Sequence, residues 1–145
     1  MTFFTERRVE FRDTDAAGIV HFSAFFPMME TAEHELLRSL GIPVLPRKGD
    51  ESEVLTWPRV AAHCDYVSAA RFEDLLRIGV RVAKIGSSSV IYSFAISCHD
   101  RPIANGTLTA VCCRLFKDGQ NGETRLEKTA IPDPLRKLLE KHLDR

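Results

Sequence analysis

The residues with the clearest chemical potential lie in a polar loop that carries Asp13 and Asp15 and ends near Phe22, where a long helical pattern begins. A helix start presents unpaired backbone N–H groups and the positive end of the helix dipole, which suits an oxyanion developing on a carbonyl group. A carboxylate that is ionised at neutral pH, as Asp15 would be, can serve as a general base or a nucleophile. An aspartate in a glycine-containing loop also commonly caps a turn with its own side chain. The loop alone therefore leaves both interpretations of Asp15 open.

The helix that follows this loop is predicted from an apolar stripe that extends to Leu40. Its members recur at spacings of three and four, the period of one buried helix face: they are Phe22, Phe25, Phe26, Met29, Ala32, Leu36, Leu37 and Leu40. Gly41 and Pro43 form a stop signal. Ser23 is the predicted N-cap, although Pro27 then removes the first intrahelical hydrogen bond, so the first turn is expected to be distorted.

The other segments are predicted to be strands joined by short connections. Residues 3–11 form the first, with Val9 and Phe11 on one face, and residues 54–67, 75–84, 90–98 and 103–116 form the rest, because apolar and polar residues alternate along them. Residues 117–124 are predicted as a loop, and Asp133 as the N-cap of a short terminal helix. One long helix followed by strands with connections too short for parallel crossovers predicts an α+β domain in which an antiparallel sheet wraps the helix.

Composition narrows the class of protein. A chain of 145 residues, of which 44% are hydrophobic and 28% charged, is expected to form a single domain over residues 1–145. Its 20 basic and 20 acidic residues balance, which argues against nucleic acid or an anionic membrane as a partner. The first residues lack the pattern of a secretory signal, no apolar run approaches the roughly 20 residues that span a bilayer, and the four cysteines lack Cys-x-x-Cys spacing. We therefore expect a cytoplasmic protein with reduced thiols.

Several common catalytic and metal-binding patterns are missing from the sequence. The chain has no Gly-x-Ser-x-Gly elbow, no glycine-rich phosphate loop with lysine and no His-Glu-x-x-His. Asp13, Asp15 and Gly18 have spacings similar to those of a calcium loop, but Ala17 and Ala24 occupy positions that require oxygen ligands. Neither a metal nor a cofactor is expected.

The polar loop and the helix start resemble a known family. The run from Glu10 to Val20, the aromatic-rich segment Phe22–Phe26 and then Glu30 closely resemble the 4-hydroxybenzoyl-CoA thioesterase family, which includes small bacterial acyl-CoA thioesterases and dihydroxynaphthoyl-CoA thioesterases. A weaker resemblance extends through Pro58–Leu76. About half of the chain is covered, and the first segment is the specific one.

The resemblance implies a hotdog fold, in which the sheet wraps the Phe22–Leu40 helix and two subunits join edge to edge, with active sites at their interface. Asp15 matches the family's catalytic aspartate, Asp13 matches a neighbouring structural carboxylate, and the Phe22 backbone N–H matches the group that polarises the thioester carbonyl. The implied activity is hydrolysis of a small aromatic or short-to-medium acyl-CoA, without a cofactor, by a homodimer; the sequence leaves open whether the assembly is a homodimer or a homotetramer.

Two side chains near Asp15 have roles that the sequence leaves open. His21 stands one residue before the position where many relatives carry an imidazole, so it either assists Asp15 or contacts the acyl group, or it is a packing or solvent-facing residue. Glu30 either orients water or is a solvated carboxylate. Two other functions stay open with them: a hotdog dehydratase that uses His21 and Glu30 as an acid/base pair, and a non-catalytic protein that binds acyl-CoA.

The contacts to CoA depart from the resemblance. Gly86-Ser87 stands where an aromatic-acyl relative carries two adjacent arginines. Arg59, Arg71 and Lys84 remain as candidate phosphate contacts by charge alone. Each of them is also explained as a solvated surface charge.

Overall fold

The computed structural model describes residues 1–45, 54–117 and 123–144. Along the chain the elements are β1 (Phe3–Arg8), α1 (Phe25–Ser39), β2 (Val54–Thr56), β3 (Arg59–Tyr66), β4 (Leu75–Ile85), β5 (Ser89–Cys98), β6 (Arg101–Val111), β7 (Cys113–Lys117), β8 (Thr124–Lys128) and α2 (Asp133–Glu140). Short 3-10 helices at Phe11–Asp13 and Phe22–Ala24 lie between β1 and α1. The described strands form a main sheet with the order β1-β4-β5-β6-β3 and a smaller sheet with the order β2-β7-β8, and neighbouring strands in both are antiparallel.

The core lies between α1 and one face of the main sheet. On β4, the residues predicted to face the core, Leu76, Ile78, Val80 and Val82, are buried and Arg77 and Arg81 are exposed, but Gly79 between them is buried as well. Gly106 on β6 allows α1 to approach closely, because a Cβ there would overlap the Met29 sulfur and the His63 carbonyl oxygen. The predicted α+β architecture, an antiparallel sheet wrapped on one long helix, is confirmed.

Helix α1 begins three residues later than predicted. Ala24 is its N-cap and provides no side-chain hydrogen bond, so the prediction for Ser23 is wrong. The later start places Pro27 in the first turn, where N–H groups have no intrahelical acceptor, so that its missing N–H is tolerated. Phe22 falls outside the α-helix and is exposed rather than part of the buried stripe.

The end of α1 follows the prediction. Gly41 has a φ of +72°, and its N–H donates to the Arg38 carbonyl while Ile42 N–H donates to the Leu37 carbonyl. This pair of hydrogen bonds around a left-handed glycine satisfies the last free carbonyls of a helix.

Strand β1 ends at Arg8, three residues before the predicted boundary. Val9 is still buried and exchanges backbone hydrogen bonds with residues 73 and 74. The Asp13 carboxylate, however, accepts a hydrogen bond from Glu10 N–H at 2.8 Å and bends the chain into the first 3-10 helix. Phe11 is therefore exposed, and its predicted shared face with Val9 is wrong.

Two predicted strands are each divided between the sheets. The segment 54–67 breaks at Trp57 and Pro58, so that β2 pairs with β7 while β3 pairs with β6. The segment 103–116 breaks at Cys112 into β6 and β7. Hydrophobic alternation does not reveal such a break, because it reports which face is buried and not which neighbour a strand has.

The C-terminal part differs in two details. Strand β8 was not predicted, because all five of its residues are exposed and show no alternation. Residues 118–122 of the predicted loop lie outside the described residues. Pro132, not Asp133, is the N-cap of α2, so Asp133 lies in the first turn together with Pro134.

Candidate functional site

Asp15 lies in a small hairpin between the two 3-10 helices. Its N–H donates to the Ile19 carbonyl at 2.9 Å, and its own carbonyl accepts from Gly18 N–H at 3.0 Å. Gly18 has a φ of +80°, which glycine adopts without steric cost. Val20 N–H then donates to the Ala70 carbonyl at 2.8 Å. The hairpin is therefore fixed both within itself and against the segment that precedes β4.

The Asp15 carboxylate caps this hairpin with one oxygen. Its Oδ1 accepts a hydrogen bond from Ala17 N–H at 2.9 Å, which is the turn-capping arrangement that the sequence left open. No described residue hydrogen-bonds Oδ2, and the side chain is only partly buried. The carboxylate is thus oriented through one oxygen while the other remains accessible to water or substrate.

The second 3-10 helix presents the Phe22 amide. The N–H of a first helical residue has no intrahelical acceptor, and no described residue accepts a hydrogen bond from Phe22 N–H. His21 precedes it: its N–H donates to the Asp13 carbonyl at 2.8 Å and its carbonyl accepts from Ala24 N–H at 2.9 Å. His21 Nδ1 lies 3.2 Å from the Ser23 nitrogen and 2.7 Å from Ser23 Oγ. The turn therefore leaves one amide available to an external acceptor.

Tyr66, the last residue of β3, supports this turn and was missed by the sequence reasoning. Its hydroxyl donates to the Phe22 carbonyl at 2.9 Å, and its ring centroid lies 5.7 Å from that of Phe25. Phe22, Tyr66 and Val67 are 62%, 49% and 56% exposed, so apolar surface borders the turn. No local pattern marks the contact, because 44 residues separate Tyr66 from Phe22.

A buried ion pair joins α1 to the start of β3. The Glu33 side chain is 1% exposed, with Oε2 2.7 Å from Arg59 Nη2 and Oε1 3.0 Å from Arg59 Nη1. Burial raises the pKa of Glu33 to about 7, although Arg59 acts to lower it. Glu30 Oε2 lies 3.6 Å from Arg59 Nε. Arg59, a predicted CoA contact, therefore faces carboxylates of α1, and no described contact joins Glu30 to His21.

The other two predicted phosphate contacts lie far from each other. Arg71 forms a backbone bridge with Ile19 of the Asp15 hairpin, and its side chain is exposed. Lys84 is also exposed, near the far end of β4. It lies nine residues beyond Leu75, which starts β4, and such a separation spans about 30 Å along a strand. The fold brings Arg71, but not Lys84, to the hairpin.

A groove of about 910 Å³ runs between β1 and the start of α1. Thr14, His21 and Ser23 line it, so it reaches the turn that carries the Phe22 amide. The positively and negatively charged residues that line it are equal in number. They are Arg7, Arg8, Arg12, Glu6, Glu10 and Asp13. The groove therefore has room beside the turn but no net charge that would by itself select a phosphate.

Other predicted features concern metals, thiols and membranes. Within residues 1–45, 54–117 and 123–144, no group of three or more His, Cys, Asp or Glu residues is arranged to hold a metal ion. The four cysteines are free thiols, and burial raises the pKa of Cys112 to about 11. None of the helices in the described part of the chain is both long enough and apolar enough to cross a membrane.

Comparison with known proteins extends the resemblance to most of the chain. The family model described as "Thioesterase-like superfamily" matches residues 9–139. A 1,4-dihydroxy-2-naphthoyl-CoA hydrolase of Synechococcus sp. (strain CC9605) is 28% identical over 137 residues, 92% of this chain and 87% of the relative. The crystal structure of a 1,4-dihydroxy-2-naphthoyl-CoA thioesterase from Synechocystis has the same fold, with a TM-score of 0.80 at 23% identity over 96% of both chains.

A second solved structure is more similar in sequence. The BH1999 gentisyl-coenzyme A thioesterase superposes with a TM-score of 0.76 at 29% identity, over 92% of this chain and 99% of that one. The matched residues 9–139 include the Asp15 hairpin, the Phe22 turn and every strand of the main sheet except β1. The hotdog fold and the family that the loop sequence indicated are thereby confirmed. This chain belongs to the thioesterase-like superfamily.

Proposed function

We propose that this chain is an enzyme that hydrolyses the thioester bond of an aromatic acyl-CoA. One observation carries the proposal: a carboxylate with an accessible oxygen, at Asp15, and an unpaired amide at a helix start, at Phe22, are held in one short segment. The hydrolase of Synechococcus and the BH1999 enzyme are both named for aromatic CoA thioesters, which supports an aromatic acyl group over an aliphatic one.

The proposed reaction begins with the thioester carbonyl oxygen accepting a hydrogen bond from Phe22 N–H. Negative charge then develops on that oxygen, where the hydrogen bond from the amide stabilises it. In the covalent route, Asp15 Oδ2 attacks the carbonyl carbon, the C–S bond breaks and the CoA thiolate leaves and takes a proton from solvent. Water then hydrolyses the mixed anhydride and restores the carboxylate. In the general-base route, Asp15 removes a proton from the attacking water instead.

Single-turnover hydrolysis in water labelled with oxygen-18 distinguishes these routes. In the covalent route, water that attacks the acyl carbon of the anhydride leaves label only in the acid, whereas attack on the aspartyl carbon places label in Asp15. Label in Asp15 after one turnover therefore requires the covalent intermediate. If the label is found only in the acid product, both routes are consistent with the result. Trapping of the anhydride by hydroxylamine then decides between them.

The proposal includes pairing of two copies through β3. This strand is an edge of the main sheet, and Val60, Tyr66 and Val67 on or beside it are exposed. The unpaired backbone groups of an edge strand form a template for another strand. Because Tyr66 contacts the Phe22 carbonyl, a second copy on this edge would lie beside the proposed acyl site. Sedimentation equilibrium tests the homodimer and the further assembly into a homotetramer.

Two further parts of the proposal concern CoA and the cell compartment. Arg71 is the candidate phosphate contact that lies beside the hairpin with an exposed side chain, whereas Arg59 faces Glu33 and Lys84 lies at the other end of β4. The four free thiols suit the reducing cytoplasm, where they would stay reduced.

Release of CoA from a panel of aromatic, aliphatic and hydroxyacyl-CoA substrates tests the activity, with Asp15→Asn as the control. Asparagine can still accept the hydrogen bond from Ala17 N–H and so keep the hairpin, but it lacks the ionised oxygen. We expect the variant to lose about 10²–10⁴-fold in rate on an aromatic substrate at an unchanged melting temperature. The proposal fails if the wild type releases no more CoA than Asp15→Asn on every substrate. Dehydration without CoA release would identify a dehydratase, and binding without either reaction a binding protein.

A further inference from the structure

We infer that His21 is a positioning residue: its imidazole caps the 3-10 helix Phe22–Ala24 and so aims the Phe22 N–H at the substrate carbonyl. The inference rests on the function proposed for that amide, and it assigns His21 a task different from acid/base chemistry. Three observations support it: the geometry of the cap, the hydrogen-bond acceptors of the three amides in the turn, and the groups that surround the imidazole.

The geometry of His21 is that of an N-cap. Its backbone is extended, with φ −63° and ψ 139°, and its side chain accepts a hydrogen bond from Ser23 N–H, two residues further on. Because a backbone amide can only donate, this hydrogen bond uses Nδ1 as the acceptor and so goes with the tautomer that carries the ring hydrogen on Nε2. The Ser23 hydroxyl, 2.7 Å away, then donates to the same nitrogen. The imidazole thus takes the place of the Ser, Thr, Asp or Asn side chain that usually caps a helix.

The cap determines which amide of the turn stays free. Ser23 N–H is satisfied by His21 Nδ1, and Ala24 N–H by the His21 carbonyl. Among the three amides of this turn, only that of Phe22 has no acceptor in the described part of the chain. The His21 N–H donates to the Asp13 carbonyl, which ties the same residue to the loop that leads to Asp15. His21 therefore fixes the free amide relative to the carboxylate, and small errors in such an alignment are costly for the rate.

The surroundings of the imidazole do not favour a proton-transfer role. Nδ1 is occupied by Ser23, and the ring centroid lies 4.5 Å from that of Phe22 at a tilt of 32°. No described carboxylate forms an ion pair with His21; Glu30, its acidic partner in the dehydratase alternative, lies by Arg59. Proton transfer by His21 would have to use Nε2, whereas capping of the turn uses Nδ1. The two nitrogens can be tested separately.

The matched variants are His21→Asn and His21→Gln. The asparagine side-chain oxygen falls near the position of Nδ1, so it can keep the cap, whereas the glutamine side-chain amide reaches toward the position of Nε2 and cannot cap in the same geometry. Both variants remove the ring, so its contact with Phe22 is lost equally. We expect His21→Gln to lower kcat about fivefold or more at an unchanged KM, and His21→Asn to restore most of that loss.

Hydrogen exchange of the Ser23 amide supplies a readout that does not depend on catalysis. Exchange is expected to be about fivefold or more faster in His21→Gln than in the wild type, and close to wild type in His21→Asn, with melting temperatures within about 2 °C of one another. This pattern together with the split in kcat supports the inference, because a merely structural role would not change kcat in a fully folded variant.

Three results would overturn the inference. Wild-type kcat in His21→Gln would show that the cap does not position the amide. Equal loss of kcat in both variants would show that the imidazole itself is required, as for chemistry at Nε2. If the wild type releases no more CoA than Asp15→Asn, the proposed function fails and the positioning role with it, while the exchange of the Ser23 amide still shows whether the cap exists.

Discussion

The two ends of strand β3 form different kinds of contact. The first end contacts helix α1, and the last end contacts the 3-10 turn that precedes this helix. At the first end, Arg59 forms a charged, doubly contacted pair with Glu33, whose side chain is 1% exposed. At the last end, Tyr66 forms a single neutral hydrogen bond to the Phe22 carbonyl, and the residue is 49% exposed. The first attachment is buried and charged, and the second is accessible and neutral.

The two ends of β3 therefore have different roles. One end anchors the strand to the helix, and the other end lies beside the proposed catalytic amide. A charge that is buried in the core must be paired, since removing its partner is strongly unfavourable. The Arg59 guanidinium is therefore already paired with carboxylates of α1. In the segment that leads to the turn contacted by Tyr66, in contrast, one Asp15 oxygen and the Phe22 amide have no partner among the described residues. Groups that are left unpaired at an accessible surface are the ones that a substrate can use.

The largest effect on stability is expected from Arg59→Ala. The substitution leaves the Glu33 carboxylate buried without its partner, so the free energy of unfolding at pH 8 should fall by about 3–5 kcal/mol. Urea unfolding measures this. The matched control is Arg81→Ala, which breaks the exposed Arg81–Asp144 pair and should cost about 1 kcal/mol or less. Equal losses in the two variants would contradict the assignment of Arg59 as a buried anchor.

A smaller effect is expected from the titration of Glu33. Because burial raises the pKa of this carboxyl from its ordinary value of 4.5 to about 7, its protonated form stabilises the folded state below pH 4.5, and that contribution is lost as the pH rises to about 7. Glu33→Gln keeps the size and removes the titration. The free energy of unfolding of the wild type, taken relative to this variant, should decline by about 3 kcal/mol over that interval. A difference that stays constant with pH would show that Arg59 offsets burial, and a difference that rises with pH would show that Arg59 outweighs it.

The smallest effect is expected from Tyr66→Phe, which removes only the hydroxyl at the other end of β3. The lost hydrogen bond to the Phe22 carbonyl should lower stability by about 1 kcal/mol or less at this exposed position. We expect kcat for acyl-CoA hydrolysis to fall roughly threefold, because the turn that presents the Phe22 amide loses one of its supports. Unchanged kcat in a folded variant would show that the other contacts of the turn are sufficient.

The outline of the fold was predictable because its signals are local. The stripe from Phe25 to Leu37 and the alternation from Leu76 to Val82 repeat within one element, and each marks a buried face by itself. The break at Cys112 was not predictable, since residues on both sides of it continue as strand and differ only in their partners. Strand β8 carries no burial pattern at all, so nothing in its sequence distinguishes it from a loop.

The candidate site was predictable in part for the same reason. Asp15 and Phe22 lie in one segment, so their proximity to a helix start follows from the chain itself. The N-cap was assigned to Ser23 because serine is a common capping residue, whereas the structure has His21 capping the first turn and Ala24 preceding α1. Ser23 lies inside the 3-10 turn, two residues after the cap of that turn and one residue before the cap of α1, because the chain forms two successive helices where the periodicity predicts one.

By itself the sequence determined the hydrophobic period of each element, the position of a carboxylate ahead of a helix start, and the family to which the chain belongs. Only the tertiary structure decided the partners of Glu33, Arg59 and Tyr66, and with them which polar groups are used for anchoring and which stay free. The physical reason is separation along the chain: Arg59 and Glu33 are 26 positions apart, and Tyr66 and Phe22 are 44 positions apart. Such side chains meet only after the antiparallel sheet has packed against the helix.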